Sequence, residues 1–339
     1  MQKITTQIIT HNNEKTIQKC LESIQPLDST IFVLDDNSTD NTLEIASSYT
    51  SNIIKIKKNR DTERNEIVKK SETNLQFYIE PWEYLASGHD KILSINDKIP
   101  HRLFVIQNDI LTKPIRVWDK SSNISFINPV FELINSEKSK IINVILNSQE
   151  HDDEEYNLNK LQKWQKEEPQ TSNHYYYESM IHLSKLRYDE FIKKSEYFLF
   201  NCKALNTAAI MTRYYLAWTY CIIKKKPNEA LQNLLVCLSA RPLMAEFWCL
   251  LGDIYYFLQY DFHRAVRFYE NAVHFGSKRK SGDEWPIQLS KYKKYPQEMI
   301  ENCRDLSSKL MKNNLVASSV DVHATKLNVN NNDFKVFDK

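Results

Sequence analysis

The chain has 339 residues, of which 42% are hydrophobic and 12% aromatic, which is enough to form two domains with buried cores. Its formal net charge of +2 excludes a general electrostatic attraction to nucleic acid. The four glycines form neither a P-loop nor a Gly-rich dinucleotide fingerprint, which excludes those two nucleotide-binding motifs. The sequence shows no signal peptide and no apolar span of membrane length, so we expect a cytoplasmic protein that does not bind membranes.

The first part of the chain contains two consecutive strand–loop–helix units. Ile4–Ile9 is apolar or β-branched, a polar loop follows, and Thr16–Ile24 has the pattern of a helix. The second unit begins with Ile31–Leu34, a run too short for a helix and typical of a strand buried on both faces. Because ligands of open α/β folds bind at the carboxyl ends of parallel strands, we expect Asp35 and Asp36 at a ligand-binding edge.

The polar residues after this second strand have an alternative explanation. Asp40 or Ser38 can cap a helix that Asn41 and Thr42 enter. When nothing else supports a site, Asp, Asn and Ser after a strand are more often turn and cap residues than ligands. The motifs on either side decide between the two interpretations.

Four short motifs lie in order within the first 65 residues: Thr10-His11-Asn12-Asn13, Cys20-Leu21-Glu22-Ser23-Ile24, Asp35-Asp36-Asn37-Ser38-Thr39-Asp40 and Glu63-Arg64-Asn65. Together they resemble the nucleotide-binding half of the family-2 inverting glycosyltransferases, which have the GT-A fold. The resemblance implies that the first domain is α/β, with a GT-A-like (Rossmann-like) nucleotide-sugar fold. It also favours a ligand site over a helix cap at the paired aspartates.

The resemblance implies roles for five residues in binding a nucleotide-sugar. Asp36 would accept a hydrogen bond from the uracil ring, and Thr10, His11 and Asp35 would line the same pocket. Arg64 would face the base or the diphosphate, because a guanidinium fork matches phosphate oxygens.

The chain departs from the family at its metal motif, an Asp-x-Asp that holds Mn²⁺ or Mg²⁺ against the diphosphate. After the predicted strand Leu75–Ile79, Glu80 takes the first position, near the diphosphate, but Trp82 stands in the second. Glu83 follows one residue later, so Glu80 and Glu83 are the predicted ligands of a divalent metal. Two alternatives stay open: Arg or Lys neutralises the diphosphate instead, or both glutamates are ordinary loop residues.

An inverting transferase needs one base to deprotonate the acceptor. Arg116-Val117-Trp118 loosely matches a family strand that precedes the acceptor site, and Glu132 falls near the acidic position that follows it. Glu132 is therefore the first candidate for the base and Asp109 the second. The alternative is that Glu132 is an ordinary exposed strand end.

The second half of the chain contains a repeat of 34 residues, the length of a tetratricopeptide unit. Trp248, Gly252 and Tyr255 begin one copy, and Tyr214 stands one repeat length before Trp248. A more degenerate copy covers Tyr177–Phe198. Each unit is a predicted helical hairpin whose small residues let the helices approach closely, so this half is predicted to be all-α.

The sequence therefore predicts an α/β domain followed by an all-α array. The predicted divisions are a GT-A-like domain at 1–150, a linker at 151–173, helical repeats with a capping helix at 174–310, and a disordered tail at 311–339. The six cysteines show no metal spacing and fit reduced core thiols. The basic run Lys55, Lys57, Lys58 and Arg60 is typical of a solvated face.

A family-2 domain joined to tetratricopeptide repeats resembles bacteriocin S-glycosyltransferases and related bacterial and phage enzymes. This implies an inverting hexosyl- or pentosyltransferase, with a UDP-sugar donor and an acceptor hydroxyl or thiol, in the cytoplasm or, if phage-encoded, the host cytoplasm. The acceptor is open among a peptide, a glycan and a hydroxymethylated base in phage DNA. The alternative is a non-catalytic scaffold with a degenerate nucleotide site, whose repeats bind a protein partner or self-associate.

Overall fold

The computed structural model describes residues 3–130, 133, 134, 136, 138–149, 154–169, 171–202, 204–280, 283 and 285–316. Within them the chain forms a mixed β-sheet with helices packed on it, followed by a succession of helices. The predicted fold class, α/β followed by all-α, is confirmed.

Twelve strands are present in the described residues. They are β1 (Ile4–Thr10), β2 (Thr30–Asp35), β3 (Ile53–Lys55), β4 (Leu75–Tyr78), β5 (Glu83–Ser87), β6 (His101–Gln107), β7 (Ile110–Thr112), β8 (Ile115–Asp119), β9 (Phe126–Ile127), β10 (Leu133–Ile134), β11 (Lys140–Ser148) and β12 (Ile287–Gln288). The predicted strands at 4–9, 31–34 and 75–79 correspond to β1, β2 and β4.

The main sheet has the order β12-β7-β6-β8-β4-β1-β2-β3, with β11 pairing both β5 and β6. Strands β1, β2, β3 and β4 are parallel to one another, and β8 turns the sheet antiparallel at its pairing with β4. Parallel neighbours place the loops after β1, β2 and β4 at one edge of the sheet, which is where such folds bind ligands.

Twelve α-helices occur in the described residues. They are α1 (Ile17–Ile24), α2 (Thr42–Ser47), α3 (Arg60–Lys70), α4 (His89–Leu93), α5 (Glu154–Glu167), α6 (Asn173–Ser184), α7 (Tyr188–Asn201), α8 (Thr207–Trp218), α9 (Pro227–Ala240), α10 (Ala245–Asp253), α11 (Phe262–Gly276) and α12 (Lys294–Val316). Helices α8 and α10 each continue into a π-helical turn, at Thr219–Ile223 and Ile254–Leu258.

The core of the first domain lies between the sheet and α1. All seven residues of β1 are buried, as expected for a central strand covered on both faces. Helix α1 buries one stripe at the spacing of successive helical turns, formed by Ile17, Cys20, Leu21 and Ile24. This packing fixes the position of the polar loop between β1 and α1.

The repeats form the predicted helical hairpins, α6 with α7, α8 with α9, and α10 with α11. Gly252 on α10 permits the closest approach in this region, because a Cβ built at this residue would lie 2.5 Å from Cε1 of Tyr269 on α11. Tyr269 is fully buried and its hydroxyl donates to Asp253 Oδ1 at 2.8 Å. The close approach expected at Gly252 is present.

A segment between the repeats and α12 returns to the first domain. Strand β12 pairs with β7 of the main sheet, antiparallel. Ser290 N donates to Asp109 Oδ1 at 2.9 Å, and Lys113 Nζ donates to Asp283 O at 2.7 Å. The α/β domain and the repeats are therefore connected by hydrogen bonds as well as by the chain that runs from one to the other.

The structure differs from the expected divisions at two places. Residues 151–173 were predicted to be a linker, yet 154–167 form the helix α5, which packs against both halves. The predicted disordered tail begins inside α12, which runs to Val316, and the rest of that tail lies outside the described residues. Apolar residues at helical spacing in α5 explain the first difference.

All six cysteines are free thiols, and five of them are buried; Cys202 is partly exposed. In the part of the chain that the structure describes, no helix combines the length and the apolar character needed to span a membrane.

Candidate functional site

The loops after β1 and β2 come together at the edge of the parallel strands. Thr10 and Asp35 are register partners, and Asp36 N donates to Thr10 O at 2.8 Å. His11 extends from the first loop and its Nδ1 lies 2.7 Å from Asp36 O. The structure thus brings together Thr10, His11, Asp35 and Asp36, the four residues assigned to one pocket.

Two of the aspartates in this region organise the loop itself. Asp35 Oδ1 accepts from Ser38 N at 2.9 Å, a side-chain to backbone hydrogen bond across the turn that follows β2. Asp40 Oδ1 accepts from Thr42 N at 3.0 Å, at the first turn of α2. Asp35 and Asp40 therefore stabilise the turn before α2, but the predicted helix cap at Asp40 or Ser38 is wrong, because the N-terminal cap of α2 is Asn41, which makes no side-chain cap hydrogen bond. Asp36 makes neither of these turn contacts.

Asp36 is a buried carboxylate with two cations. Its Oδ2 lies 2.6 Å from Arg60 Nε and also contacts Lys160 Nζ. Burial alone raises the pKa of Asp36, but the positive charges of Arg60 and Lys160 outweigh burial and hold that pKa below its usual value. The carboxylate is therefore ionised at neutral pH, with both of its cations in place.

Helix α5 adds an aromatic ring to the same group. The rings of Tyr156 and His11 are stacked with centroids 3.5 Å apart and an interplanar angle of 11°. The Tyr156 hydroxyl donates toward Asp36, 3.1 Å from Oδ1 and 3.0 Å from the main-chain oxygen. Lys160 lies one helical turn after Tyr156 and also meets Asp36. Both oxygens of the Asp36 carboxylate are thus in contact with groups of this chain.

A second cluster lies beside the first, where β4 ends and β5 begins. Glu83 Oε1 lies 2.6 Å from Arg116 Nη2, and both side chains are buried. Glu80 Oε1 lies 3.5 Å from Arg116 Nη1, and Glu80 Oε2 lies 3.7 Å from Arg64 Nη2. Tyr78 packs under this cluster, with the Arg116 guanidinium 4.1 Å from its ring centre.

Burial controls the titration of this second cluster. It raises the pKa of Glu83, an effect that Arg116 opposes but does not cancel. The same burial raises the pKa of Tyr78 to about 12. Burial also lowers the pKa of Arg116, but the charge of Glu83 overrides this and the net pKa is raised. Arg116 is therefore a permanent cation.

Helix α3 connects the two clusters. Arg60 and Arg64 are one helical turn apart on its buried face, so Arg60 meets Asp36 while Arg64 meets Glu80. Asn65 next to them fixes the helix by bonding Phe126 through both its amide nitrogen and its amide oxygen. The motif at 63–65 thus contributes one cation and one positioning amide.

A small cavity of about 10 Å³, roughly the room needed by one water molecule, lies between the clusters. The residues that line it come from the end of β1 and the loop after it, from α3, and from the segment between β4 and β5: Ile9, Thr10, His11, Asn13, Arg60, Glu80 and Trp82. The Glu80 side chain is 22% exposed, whereas that of Glu83 is 4% exposed. Glu80 is consequently the glutamate of the pair that a bound molecule can reach.

Glu80 and Glu83 are the predicted ligands of a divalent metal. Mg²⁺ and Mn²⁺ prefer several oxygen ligands in an open octahedral arrangement. Glu83 has Oε1 on Arg116 and Oε2 on the Glu80 amide, which donates at 3.1 Å. Within the described ranges no group of three or more His, Cys, Asp or Glu side chains is placed to hold a metal. Glu80 and Glu83, each already facing a guanidinium, do not fit a metal site formed by the protein alone.

The two candidates for the base have different outcomes. Glu132 lies outside the described residues. Asp109 sits in the turn between β6 and β7, where both its oxygens accept from Ser290. The contacts of Asp109 are with the segment that follows the repeats, and it does not line the cavity at Glu80. The structure therefore gives Asp109 a connecting role between the two halves.

Four residues at this site were missed by the sequence analysis as contributors: Arg60, Arg116, Tyr156 and Lys160. Arg60 was assigned to a solvated basic face, yet it is 6% exposed. Its spacing of one helical turn from Arg64 was the signal that predicts a shared face. Tyr156 and Lys160 fell in a predicted linker, where the same one-turn spacing is the only signal that the sequence offers.

Comparison with known families addresses the segment that forms this site. Residues 6–71 match the model of glycosyl transferase family 2. The match covers β1 through α3 and so includes the loop at His11, the aspartates after β2, and both arginines of α3. The match thus includes His11, Asp36 and Arg60 of the first cluster, leaves out Tyr156 and Lys160, and ends before Glu80. Comparison with curated protein sequences gave no match.

Several solved structures show partial similarity. TarS of S. aureus has 13% identity over 88% of this chain and 55% of that protein, with a TM-score of 0.35. Glucosyl-3-phosphoglycerate synthase of Mycobacterium tuberculosis, in complex with Mg²⁺ and UDP, has 16% identity over 32% of this chain and 44% of that one, with a TM-score of 0.26. MamA of Desulfovibrio magneticus RS-1 has 17% identity over 49% of this chain and 88% of that one, with a TM-score of 0.36.

Proposed function

We propose that this chain is an inverting glycosyltransferase that takes a sugar from a UDP-sugar. The observation that carries the proposal is convergence at one edge of the sheet: His11, Arg60 and Glu80 line one cavity, and Asp36 pairs with Arg60. The glycosyl transferase family 2 match covers three of these four residues. The uracil ring would bind at His11 and Asp36, and the diphosphate would bind beside Arg60.

The reaction would proceed by direct displacement. An acceptor oxygen or sulfur attacks the anomeric carbon, the bond from that carbon to the diphosphate oxygen breaks, and UDP leaves with the electron pair. A base takes the acceptor proton. Glu132 is retained as the proposed base. In Asp109 both carboxylate oxygens are already bonded to Ser290, which makes it a weaker candidate.

Arginine side chains would supply the positive charge near the diphosphate. Arg60 lines the cavity, and the positive charges of Arg64 and Arg116 offset the negative charge of Glu80. Preorganised cations in a buried site stabilise a leaving diphosphate without reorganisation. Because Glu80 and Glu83 are paired with Arg64 and Arg116, and Arg60 lines the cavity, the arginines would take the place of a divalent cation, and we expect UDP to bind in the absence of Mn²⁺ or Mg²⁺.

A peptide or glycan acceptor is better supported than DNA. A DNA acceptor would need several lysines or arginines along the cleft to meet backbone phosphates. Arg60 is the one cationic side chain among the described cavity-lining residues, apart from the titratable His11. The basic run near 280 does not supply more, because Arg279 is itself buried against Glu246 and Asp283.

Calorimetric titration with UDP tests the proposal. We expect binding in EDTA, with an affinity within about threefold of that in Mn²⁺, and at least a tenfold loss, about 1.4 kcal/mol, in Asp36→Asn. Asp97→Asn is the matched control, because Asp97 also pairs with a lysine but lies away from this cavity. Unchanged affinity for UDP in folded Asp36→Asn would refute the binding of uracil at Asp36. Strict dependence of UDP binding on Mn²⁺ would refute the proposal that arginines replace a metal at the diphosphate.

One observation favours a second function, a non-catalytic scaffold. The Asp36 carboxylate is already satisfied by Arg60, Lys160 and Tyr156, as it would be in a site that no longer takes a nucleotide. In that case neither UDP nor another nucleoside diphosphate would bind, and the repeats would carry the function by binding a partner or a second copy. A panel of nucleoside diphosphates in the same titration separates the two functions.

A further inference from the structure

Tyr156 makes with this chain the contacts that a nucleobase would make under the proposed function. It presents a flat ring stacked on His11 and directs a hydrogen-bond donor at the Asp36 carboxylate. A uracil bound at Asp36 would need the same volume and the same acceptor. Lys160 places a positive charge on the second oxygen of that carboxylate. A nucleobase and Tyr156 therefore exclude each other.

We propose that Tyr156 and Lys160 hold the base subsite closed, so that α5 must move before a nucleotide binds there. The proposal rests on the proposed function, because it takes Asp36 and His11 as the base subsite. Helix α5 is then an internal competitor of the nucleotide, and the apparent affinity for UDP is reduced by the fraction of molecules in which α5 is closed.

The contacts of Tyr156 and Lys160 with Asp36 can be broken without disrupting the fold. Lys160 is 27% exposed and Tyr156 is only partly buried, so both side chains can return to water without opening the core of the sheet. Arg60, by contrast, is 7% exposed and already neutralises Asp36. When α5 moves away, the Asp36 carboxylate therefore stays paired with the buried Arg60, and no unpaired charge is left in the interior.

The other half of α5 is anchored to the repeats. Trp164 lies two helical turns after Tyr156 and one after Lys160, and it is buried with Leu161 and Ile181. Its ring meets that of His174 on α6 edge-on, with centroids 6.0 Å apart. One rigid helix thus touches the base subsite at its start and the first repeat hairpin at its end. A shift of α6, such as a partner bound to the repeats could produce, would be transmitted to Tyr156.

The test compares UDP affinity among variants of α5 in the full chain. We expect Tyr156→Ala to bind UDP at least tenfold more tightly than the unaltered protein. Tyr156→Phe keeps the stacked ring and loses the hydroxyl, so its gain should be smaller, and Lys160→Ala should also gain. Lys163→Ala is the control, because Lys163 is 74% exposed on the same helix and pairs with Glu167. Circular dichroism and thermal unfolding establish that each variant is folded.

A second measurement reports the movement itself. Saturating UDP should increase amide hydrogen exchange in residues 154–167 of the unaltered protein, because binding displaces that helix. A ligand that merely bound beside a fixed α5 would leave exchange there unchanged or slower.

The outcomes separate this inference from the proposed function. If UDP binds the unaltered protein and Tyr156→Ala equally, or binds the variant more weakly, the proposed function stands and the closure is refuted. Weaker binding would make Tyr156 part of the base subsite. If neither the unaltered protein nor the double variant Tyr156→Ala, Lys160→Ala binds UDP or another nucleoside diphosphate, the proposed function fails and the closure fails with it.

Discussion

Glu83 and Arg116 form a buried ion pair beside the candidate site, with Glu83 Oε1 and Arg116 Nη2 2.6 Å apart. The pair is part of the fold, because Glu83 is the first residue of β5 and Arg116 the second residue of β8. Each charge is out of water, so each depends on the other for its solvation. This distinguishes Glu83 from Glu80, whose side chain reaches the cavity.

Glu83→Gln is expected to destabilise the fold strongly. It leaves the buried Arg116 guanidinium without its close partner, which costs about 3–5 kcal/mol of the free energy of unfolding. Glu80→Gln, the matched control at a partly exposed carboxylate, should cost about 1 kcal/mol or less. Urea unfolding measures both. Equal costs for the two substitutions would show that burial does not separate the glutamates.

Stability should depend on pH through Asp36. The pKa of Asp36 is lowered in the folded state, so its contribution is complete above the ordinary value of about 3.9 and is lost as pH falls through the lower folded value. Asp36→Asn removes the charge at every pH. The difference in free energy of unfolding between the two proteins should therefore be constant from pH 7 to about 5 and shrink below about pH 4. A difference that grew on acidification would contradict this sign.

His174 should make the packing of α5 on α6 sensitive to mild acid. Burial lowers the pKa of His174, with Lys194 adding to the effect and Glu178 and Glu168 opposing it. The unfolded chain therefore takes up a proton first, near the ordinary value of about 6.5, and stability falls as pH drops from there toward the folded pKa. Thermal unfolding between pH 7.5 and 5.5 should show this fall, and His174→Phe should make it smaller. His101 and His182 also have lowered pKa values. The contribution of His174 is therefore the difference between the loss of stability on acidification in the unaltered protein and that in His174→Phe.

Gly252→Ala should be destabilising although alanine favours helices. The new Cβ would meet the ring of the fully buried Tyr269 at 2.5 Å, so α10 and α11 must separate, at a cost of about 1–3 kcal/mol. Ser239→Ala, at an exposed position of α9, should stay within about 0.5 kcal/mol of the unaltered protein. Chemical denaturation compares the two variants, and a neutral Gly252→Ala would show that the hairpin can open without cost.

Contacts between nearby strands were predictable from the sequence, whereas contacts across the fold were not. Thr10, His11, Asp35 and Asp36 follow two adjacent parallel strands, so the pattern of the chain places them together. Arg60 meets Asp36 across 24 residues, and its burial depends on how α3 lies against the sheet.

The contribution of α5 was beyond prediction from the sequence. Tyr156 reaches Asp36 across 120 residues, and polar residues at the start of α5 are equally typical of a linker. What decides its position is the packing of Leu158, Leu161 and Trp164 against the first repeat and Val130. Hydrophobic spacing predicts that such a helix has an apolar face, but it does not identify the surface that covers that face.

The pairing of β12 with β7 brings the chain, after the repeats, back to the sheet of the first domain. The polypeptide leaves the sheet after β11, passes through the repeats, and returns to supply the strand at the edge of the same sheet. The repeats are thus an insertion within the α/β unit, and a fragment ending near residue 150 would expose the backbone donors and acceptors of β7. Unfolding of the repeats would remove β12 from the edge of the sheet, and unfolding of the α/β domain would remove β7, the strand with which β12 pairs. The two halves should therefore unfold in a single thermal transition.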